Sequence, residues 1–331
     1  MSSTTQVTTF ADLYTDLLNK VRDSTTVTAT VALAKRYINT ALNDMHINPG
    51  NNFPWQQRRG TLITHAPYTT GTLSITASAR STVTGSGTLW NTAVTGFGFN
   101  NVRAGGKLSI TGNEIYTVSA VTSDTALTIE SIYTGDAISG QAYTYYEDEY
   151  ALVSDFIRPV DFNSFSTDAN IPIVGALDFR RANVRNAGSG RPKIASFIQL
   201  GYSGTTSQRP RVVLSPSPDD EYAIPYWYYT GNLAVSAAGV EQTSLSADTD
   251  EPIVPLRFRH AIVYHALYKW FLYEKDDARA AQAQADYTDI MTRTIGDKWP
   301  GEQRAILIPM TKGGRRLRQR FDVGNRFDRM E

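Results

Sequence analysis

The residues in this 331-residue chain that could do chemistry are four histidines and a few short charged runs; cysteine is absent. Without thiols, disulfide scaffolds, thiolate zinc sites and cysteine nucleophiles are excluded together. His46, His65, His260 and His265 are spread widely. The last two stand about 140° apart around a predicted helix, so they cannot share a metal as an i,i+4 pair would. An ordinary hydrogen-bonded role accounts for His260. The chain has no HExxH, no GxSxG and no GxxxxGK[ST] run. Gly105-Gly106-Lys107 is followed by Leu108 rather than a magnesium-binding hydroxyl, and it reads as a loop entering a strand. Glu147-Asp148-Glu149 and Asp219-Asp220-Glu221 lack the alternating ligands of a calcium loop and read as solvated turns. No catalytic residue, metal site or cofactor is expected, and the chain does not read as an enzyme.

Two stretches point to binding instead. The last 20 residues, Lys312 to Glu331, carry seven basic and three acidic side chains, including Lys312, Arg315, Arg316, Arg318, Arg320 and Arg326, with Phe321 and Phe327 interleaved. This composition cannot build a core, so it reads as an arm. Three roles fit it: a solubilising tail, a docking segment with forked arginine donors and phenylalanine anchors, or a phosphate contact. The run Tyr226-Trp227-Tyr228-Tyr229 could stack on bases or sugars. Aromatic side chains also have high strand propensity and fill cores or subunit contacts, which is the preferred reading.

These stretches need elements to position them. Phe10, Leu13, Tyr14, Leu17, Leu18 and Val21 follow helical spacing, and Thr9 with Asp12 resembles a capping pair. A second helix is expected from Thr30 to Met45 with Leu33, Tyr37, Ile38, Ala41 and Leu42 on one face, stopped by Asn48-Pro49-Gly50. Between Tyr68 and Tyr146 charge nearly vanishes, and Thr, Ser, Gly and Val alternate with period two. Strands are expected at Thr72–Thr76, Lys107–Ile110, Glu114–Val118 and Ala126–Ile129, with tight turns at Gly112-Asn113 and Ser123-Asp124. About five or six such strands suggest a small closed or rolled barrel. Further strands are expected at Ile194–Leu200, Arg211–Leu214 and Tyr222–Tyr229, with Pro225 marking the last as an edge or bulged strand. Asp250-Glu251-Pro252 and Pro255 are expected to open a long helix whose apolar arc holds Leu256, Ile262, Val263, Ala266, Leu267, Trp270 and Phe271. A final helix spans Asp277 to Thr294, stopped by Lys298-Trp299-Pro300.

Together these readings predict an α+β fold: a helical bundle body, made of the N-terminal hairpin and the C-terminal helix pair, with an inserted small β-barrel and additional β-strands. The expected division is 1–67 with 147–311 as the body, 68–146 as the barrel and 312–331 as the arm. With 41% hydrophobic and 19% charged residues the chain is globular, and its length calls for more than one core. The start MSSTTQVTTF carries no secretory pattern, and the apolar stretch around His265 and Lys269 is too short for a bilayer, so no membrane partner is expected.

The order of parts resembles the head-to-tail adaptor family of tailed bacteriophages, also called connector or neck proteins. The resemblance is carried by Tyr37–Asn43 at the hairpin's end and Pro218–Tyr222 leading into the aromatic strand. It continues through Asp250–Pro255 and the helix pair with Tyr264–Leu267 and Ala278–Ala281. Val83–Trp90 and Ile115–Val121 are similar to small β-domains of phage tail and neck proteins. The resemblance implies a virion protein assembled in the host cytoplasm, with twelve copies in a ring beneath the portal protein. A tail or neck protein would lie below, and double-stranded DNA would pass through a central channel. It implies that the arm residues above dock on the portal. It also implies that Leu13, Leu17, Tyr37, Ile38, Leu42, Ile262, Val263, Leu267, Trp270 and Phe271 belong to the helix faces of the ring body. The 32 cations balance 32 carboxylates; the arm holds net +4 and residues 1–311 net −4, a mildly acidic body that would let DNA slide if its carboxylates face the channel. The other reading from a different class is a tail-fibre or receptor-binding protein using the Thr-rich β-region for carbohydrate.

Overall fold

A computed structural model describes residues 7–47, 53–110, 115–162, 171–182, 188–199 and 210–296. The chain divides into two units, Met1–Gln56 with Gly231–Glu331, and Gln57–Thr230. In chain order the first unit begins with helices α1 (Phe10–Val21) and α2 (Thr28–Ile47). The second unit holds strands β1 (Gln57–Ile63), β2 (Thr72–Ile75), β3 (Thr82–Ser86), β4 (Lys107–Ile110), β5 (Ile115–Ser123) and β6 (Ala126–Ile129). It continues with β7 (Ile138–Gln141), β8 (Tyr143–Tyr146), β9 (Glu149–Ala151), β10 (Phe156–Phe162), the short helix α3 (Ala176–Ala182), β11 (Ile194–Gln199), β12 (Pro210–Ser215) and β13 (Ala223–Thr230). The chain then returns to the first unit through β14 (Ala234–Val235), β15 (Glu241–Gln242), β16 (Glu251–Pro252), α4 (His260–Glu274) and α5 (Asp277–Gly296).

The first unit is helical, and its start is legible in the sequence. Thr9 and Asp12 form a reciprocal capping box, with Thr9 N–H donating to Asp12 Oδ2 at 2.9 Å and Asp12 N–H to Thr9 Oγ1 at 3.3 Å. The next orphan donors of α1, the N–H groups of Phe10 and Ala11, reach the carbonyls of Asp250 and Asp248 at 2.8 and 3.0 Å. Phe10, Leu13, Leu17 and Leu18 of α1 and Ile38, Ala41, Leu42 and Met45 of α2 meet Ile262, Val263, Ala266 and Trp270 of α4 in one apolar cluster. The expected helix opening at Asp250–Pro255 is not formed. Glu251–Pro252 pairs with β14, and α4 begins at His260 after a 3-10 turn. Asp250 is committed to the preceding loop, its Oδ2 accepting the N–H groups of Ser246 and Ala247 at 2.8 Å each.

The second unit is β-rich, and it overturns the expected fold class. Among the described residues sixteen strands stand against five α-helices, and residues 147–230, assigned above to the body, hold five strands and one short helix. With β1 these strands build two three-stranded sheets, β1-β13-β10 and β11-β12-β9. The strand period there is hidden by bulges and prolines, whereas the helical period is unbroken at both ends, so the helices dominated the sequence signal. The other seven strands form one sheet in the order β7-β2-β3-β6-β5-β4-β8. It curls around a single cluster that includes Leu73, Val83, Trp90, Leu108, Val118 and Leu127. Its end strands β7 and β8 follow one another in the chain, and on the outer edge of β8 Tyr145 exchanges backbone hydrogen bonds of 2.8 and 2.9 Å with Tyr68, in the segment leading into β2, which brings the sheet round on itself.

Pro225 is a second correction. β13 is the central strand of its sheet, flanked on both sides. Tyr222 O accepts from Thr64 N–H at 3.0 Å, so even-numbered residues of β13 bond towards β1 and Pro225 faces the other way. On that side the last described pair with β10 is Phe162↔Tyr226, so the missing N–H removes no described ladder bond. The bulges fall instead on β10, at Ile157 and Val160. The expected stops at Asn48-Pro49-Gly50 and Lys298-Trp299-Pro300 and the turn Gly112-Asn113 lie outside the described residues.

Candidate functional site

Alternation along β8 turns Tyr143 and Tyr145 inward, and the next inward position is Glu147. A buried carboxylate is costly unless it is paired and hydrogen-bonded, and here it is both. Arg103 Nε donates to Glu147 Oε1 at 2.9 Å, its Nη2 to Oε2, and the Tyr145 hydroxyl to Oε1 at 2.5 Å. The Tyr150 hydroxyl donates to the Glu147 carbonyl at 3.0 Å and accepts from His65 N–H at 3.1 Å. Burial, reinforced by the Glu147 charge, pushes both tyrosines far above the ordinary phenol value. Burial works against the Arg103 cation, yet the bonds and charge of Glu147 outweigh it and raise its pKa. Gly106 passes flat against the Tyr145 ring, where a methyl group would overlap the phenol.

The acidic run 147–149 is therefore not the solvated turn expected. Glu147 is sealed in this network, burial raises Asp148 above the usual carboxylate range against the pull of Lys107, and Glu149 lies 3.4 Å from Lys107 Nζ and 3.9 Å from Arg211 Nη1. Compensating cations 40 or more residues away in sequence made that environment invisible locally. The second run behaves as expected: Asp219 and Asp220 are exposed, and Asp219 accepts from the Tyr222 hydroxyl at 2.7 Å. A cleft of about 420 Å³ opens beside the network, lined by Arg103, Glu147, Glu149, Tyr150 and Arg211 among others. Both carboxylate oxygens and the carbonyl of Glu147 are engaged in holding the fold. Among the described residues no group of three His, Asp or Glu side chains is placed to hold a metal.

Nine of the ten helix-face residues singled out in the sequence, Leu13, Leu17, Ile38, Leu42, Ile262, Val263, Leu267, Trp270 and Phe271, are buried together, and Tyr37 packs half-buried against them, its ring 5.7 Å from Trp270. These side chains are spent on the chain's own core. His46 is hydrogen-bonded to the Leu42 carbonyl at 2.7 Å and accepts from Trp55 Nε1 at 3.3 Å; His265 lies 3.4 Å from Asp44. The more open His260 faces Asp16 at 3.9 Å. Of the aromatic strand, Tyr226, Tyr228 and Tyr229 are buried, Tyr226 stacking on Phe162 at 4.9 Å, while Trp227 is 42% exposed. The whole arm, with Lys312, Arg315, Arg316, Arg318, Arg320, Phe321, Arg326 and Phe327, lies outside the described residues.

The charge of residues 1–311 is unevenly spread. Residues 179–218 hold seven cations and no carboxylate, which leaves 18 cations against 29 carboxylates elsewhere in that span. No described helix is long and apolar enough to cross a membrane. A family model described as SU10 adaptor protein matches residues 113–306, more than half of the chain and part of both units. No curated protein matches the chain.

Proposed function

The chain belongs to the SU10 adaptor protein family, and from that premise we propose that it is the head-to-tail adaptor of a tailed bacteriophage, a structural part of the virion. In this reading twelve copies form a ring beneath the portal, a tail or neck protein attaches below, and double-stranded DNA leaves the head through the centre. The work is mechanical; no reaction is catalysed. The observation that carries the reading is the family match over residues 113–306. A second support is the use of titratable groups as structural ties in each unit, Glu147 with Arg103 in the second and Asp44 with Lys269 at 2.8 Å in the first, which leaves them to fix a shape. The helices of the first unit form the ring body, with the apolar faces named above as its packed interior. The basic arm docks on the portal, its arginines meeting carboxylates and its two phenylalanines entering apolar recesses. Residues 68–146, whose apolar cluster draws on no residue outside that span, act as a separable piece.

Images of assembled particles test this directly: the chain should form a ring attached to the portal, and a position on a surface fibre or isolated trimers would sink it. Deleting Lys312–Glu331 should abolish portal attachment while leaving the helical circular dichroism unchanged. Attachment by the truncated chain would reduce the arm to a solubilising tail.

A further inference from the structure

The antiparallel register of β1 and β13 sets Arg59, Thr61 and Ile63 opposite Trp227, Pro225 and Ala223. Tyr226 and Tyr228, one step out of phase, point the other way into the core. On the other flank β10 carries two bulges, with Ile157 and Val160 as the extra residues. Pairing puts Arg158 opposite Tyr229 and Asp161 opposite Trp227, on the outer face, and a bulge presents its extra residue beside its neighbour on one side. The outer face therefore gains two apolar side chains that a regular strand would not place there. Ile157 is 64% exposed, Val160 and Trp227 42% each and Ile63 37%. Arg158 lies over the Tyr229 ring at 4.4 Å, and Asp161 accepts the Trp227 N–H at 3.2 Å, so the patch is held in place by its own charged border.

Single exposed apolar residues are ordinary, but a tryptophan in mid-sheet with Val160 beside it, Ile157 and Ile63 farther along the same face on either side, and an arginine border has the make-up of a binding centre. We propose that this outer face of the β1-β13-β10 sheet, centred on Trp227, is where one copy of the chain packs against the next. The proposal rests on the ring reading above, because the apolar faces of the helices are already consumed within one chain. Size supports a second copy as the occupant. The four side chains offer roughly 350 Å² of apolar surface, against about 450 Å² for the apolar part of one side of a standard interface. Charge supports it too. Asp219-Asp220-Glu221 lies at the opposite end of β13, about 20 Å from Trp227 at strand spacing, so each copy presents an acidic end and an arginine-bordered end. A head-to-tail contact joins such unlike ends and can close into a ring.

Because the chain lacks cysteine, Val160→Cys creates one thiol. A benzophenone maleimide on that thiol, irradiated in full-length chain purified at high concentration and in assembled particles, reports its neighbour. A product of two copies in either preparation is the expected result. Absence of that product from both, whether nothing forms or only a product with another particle protein, overturns the proposal. Absence of the chain from particles would instead count against the adaptor reading, and the purified chain still decides the contact. As a second measurement, Trp227→Ser combined with Ile157→Ser should weaken self-association by about tenfold or more without changing the melting temperature by more than a few degrees. Unchanged association by that folded variant overturns the proposal as well.

Discussion

Arg103, Tyr145 and Tyr150 surround Glu147 inside the β-rich unit, and replacing its carboxyl group should reveal how much depends on it. Glu147→Gln keeps the shape but leaves Arg103 without its forked carboxylate. A broken buried pair costs about 3–5 kcal/mol; since a third of the Arg103 side chain reaches water, about 2 kcal/mol is expected, read from urea unfolding midpoints. In the helical unit the sensitive residue is His46. Burial pushes its imidazole down to about 4, with the Leu42 carbonyl pulling weakly the other way, and burial also lowers His265. A folded pKa below the unfolded value of about 6.5 means that the unfolded chain takes up protons first. Stability should therefore be complete above about pH 6.5 and fall as the pH drops towards 4, by a loss of order 1–3 kcal/mol. His46→Gln should flatten that slope in unfolding curves measured at pH 7, 6 and 5; an unchanged slope would assign it elsewhere. Asp12 and Asp44 are held below the usual carboxylate range: burial opposes this, but their hydrogen bonds prevail, and their contributions are lost only at still lower pH.

At the level of elements, legibility followed the clarity of the period. The capping box at Thr9 and the faces of α1, α2 and α4 could be read because 3.6-residue spacing persists over several turns. Thr9→Ala should cost about 1 kcal/mol in thermal or urea unfolding, the usual worth of such a cap. Gly106→Ala, in the loop that the sequence correctly placed before β4, should cost more, about 1–3 kcal/mol, because the new methyl overlaps the buried Tyr145 ring. A measured change near zero would mean that the ring can move aside. Strands β11 to β13 were harder to read in role than in position, and β9 and β10 were not expected at all. Pro225 signalled an edge strand, yet its missing donor points past the last described β10 pair, a fact about the neighbour rather than about proline. Ile157 and Val160 reach the outer face only through bulges, which no alternation pattern encodes.

At the level of the whole molecule, the core of the first unit draws, among the described residues, on 7–55 and 233–291. The ends of the intervening segment lie side by side, since Gln57 pairs with Tyr229. Replacing 57–230 by a short flexible linker should leave a chain that keeps its helical signal and melts cooperatively; a broad, non-cooperative melt would show that the first unit depends on the second. The overall neutrality hides two separate divisions of charge, the basic arm and the carboxylate-free stretch 179–218, set in an otherwise acidic body. The sequence by itself determined the two helical ends, the strand-rich middle, the absence of thiol chemistry and the likeness to an adaptor. All of these follow from local period, composition and the order of parts along the chain. The environment of Glu147, the way the seven-stranded sheet curls round through the Tyr68–Tyr145 bridge, the central place of β13 and the exposure of Trp227 were decided only by tertiary structure. Each depends on residues that are remote in sequence and are brought into register by pairing and packing.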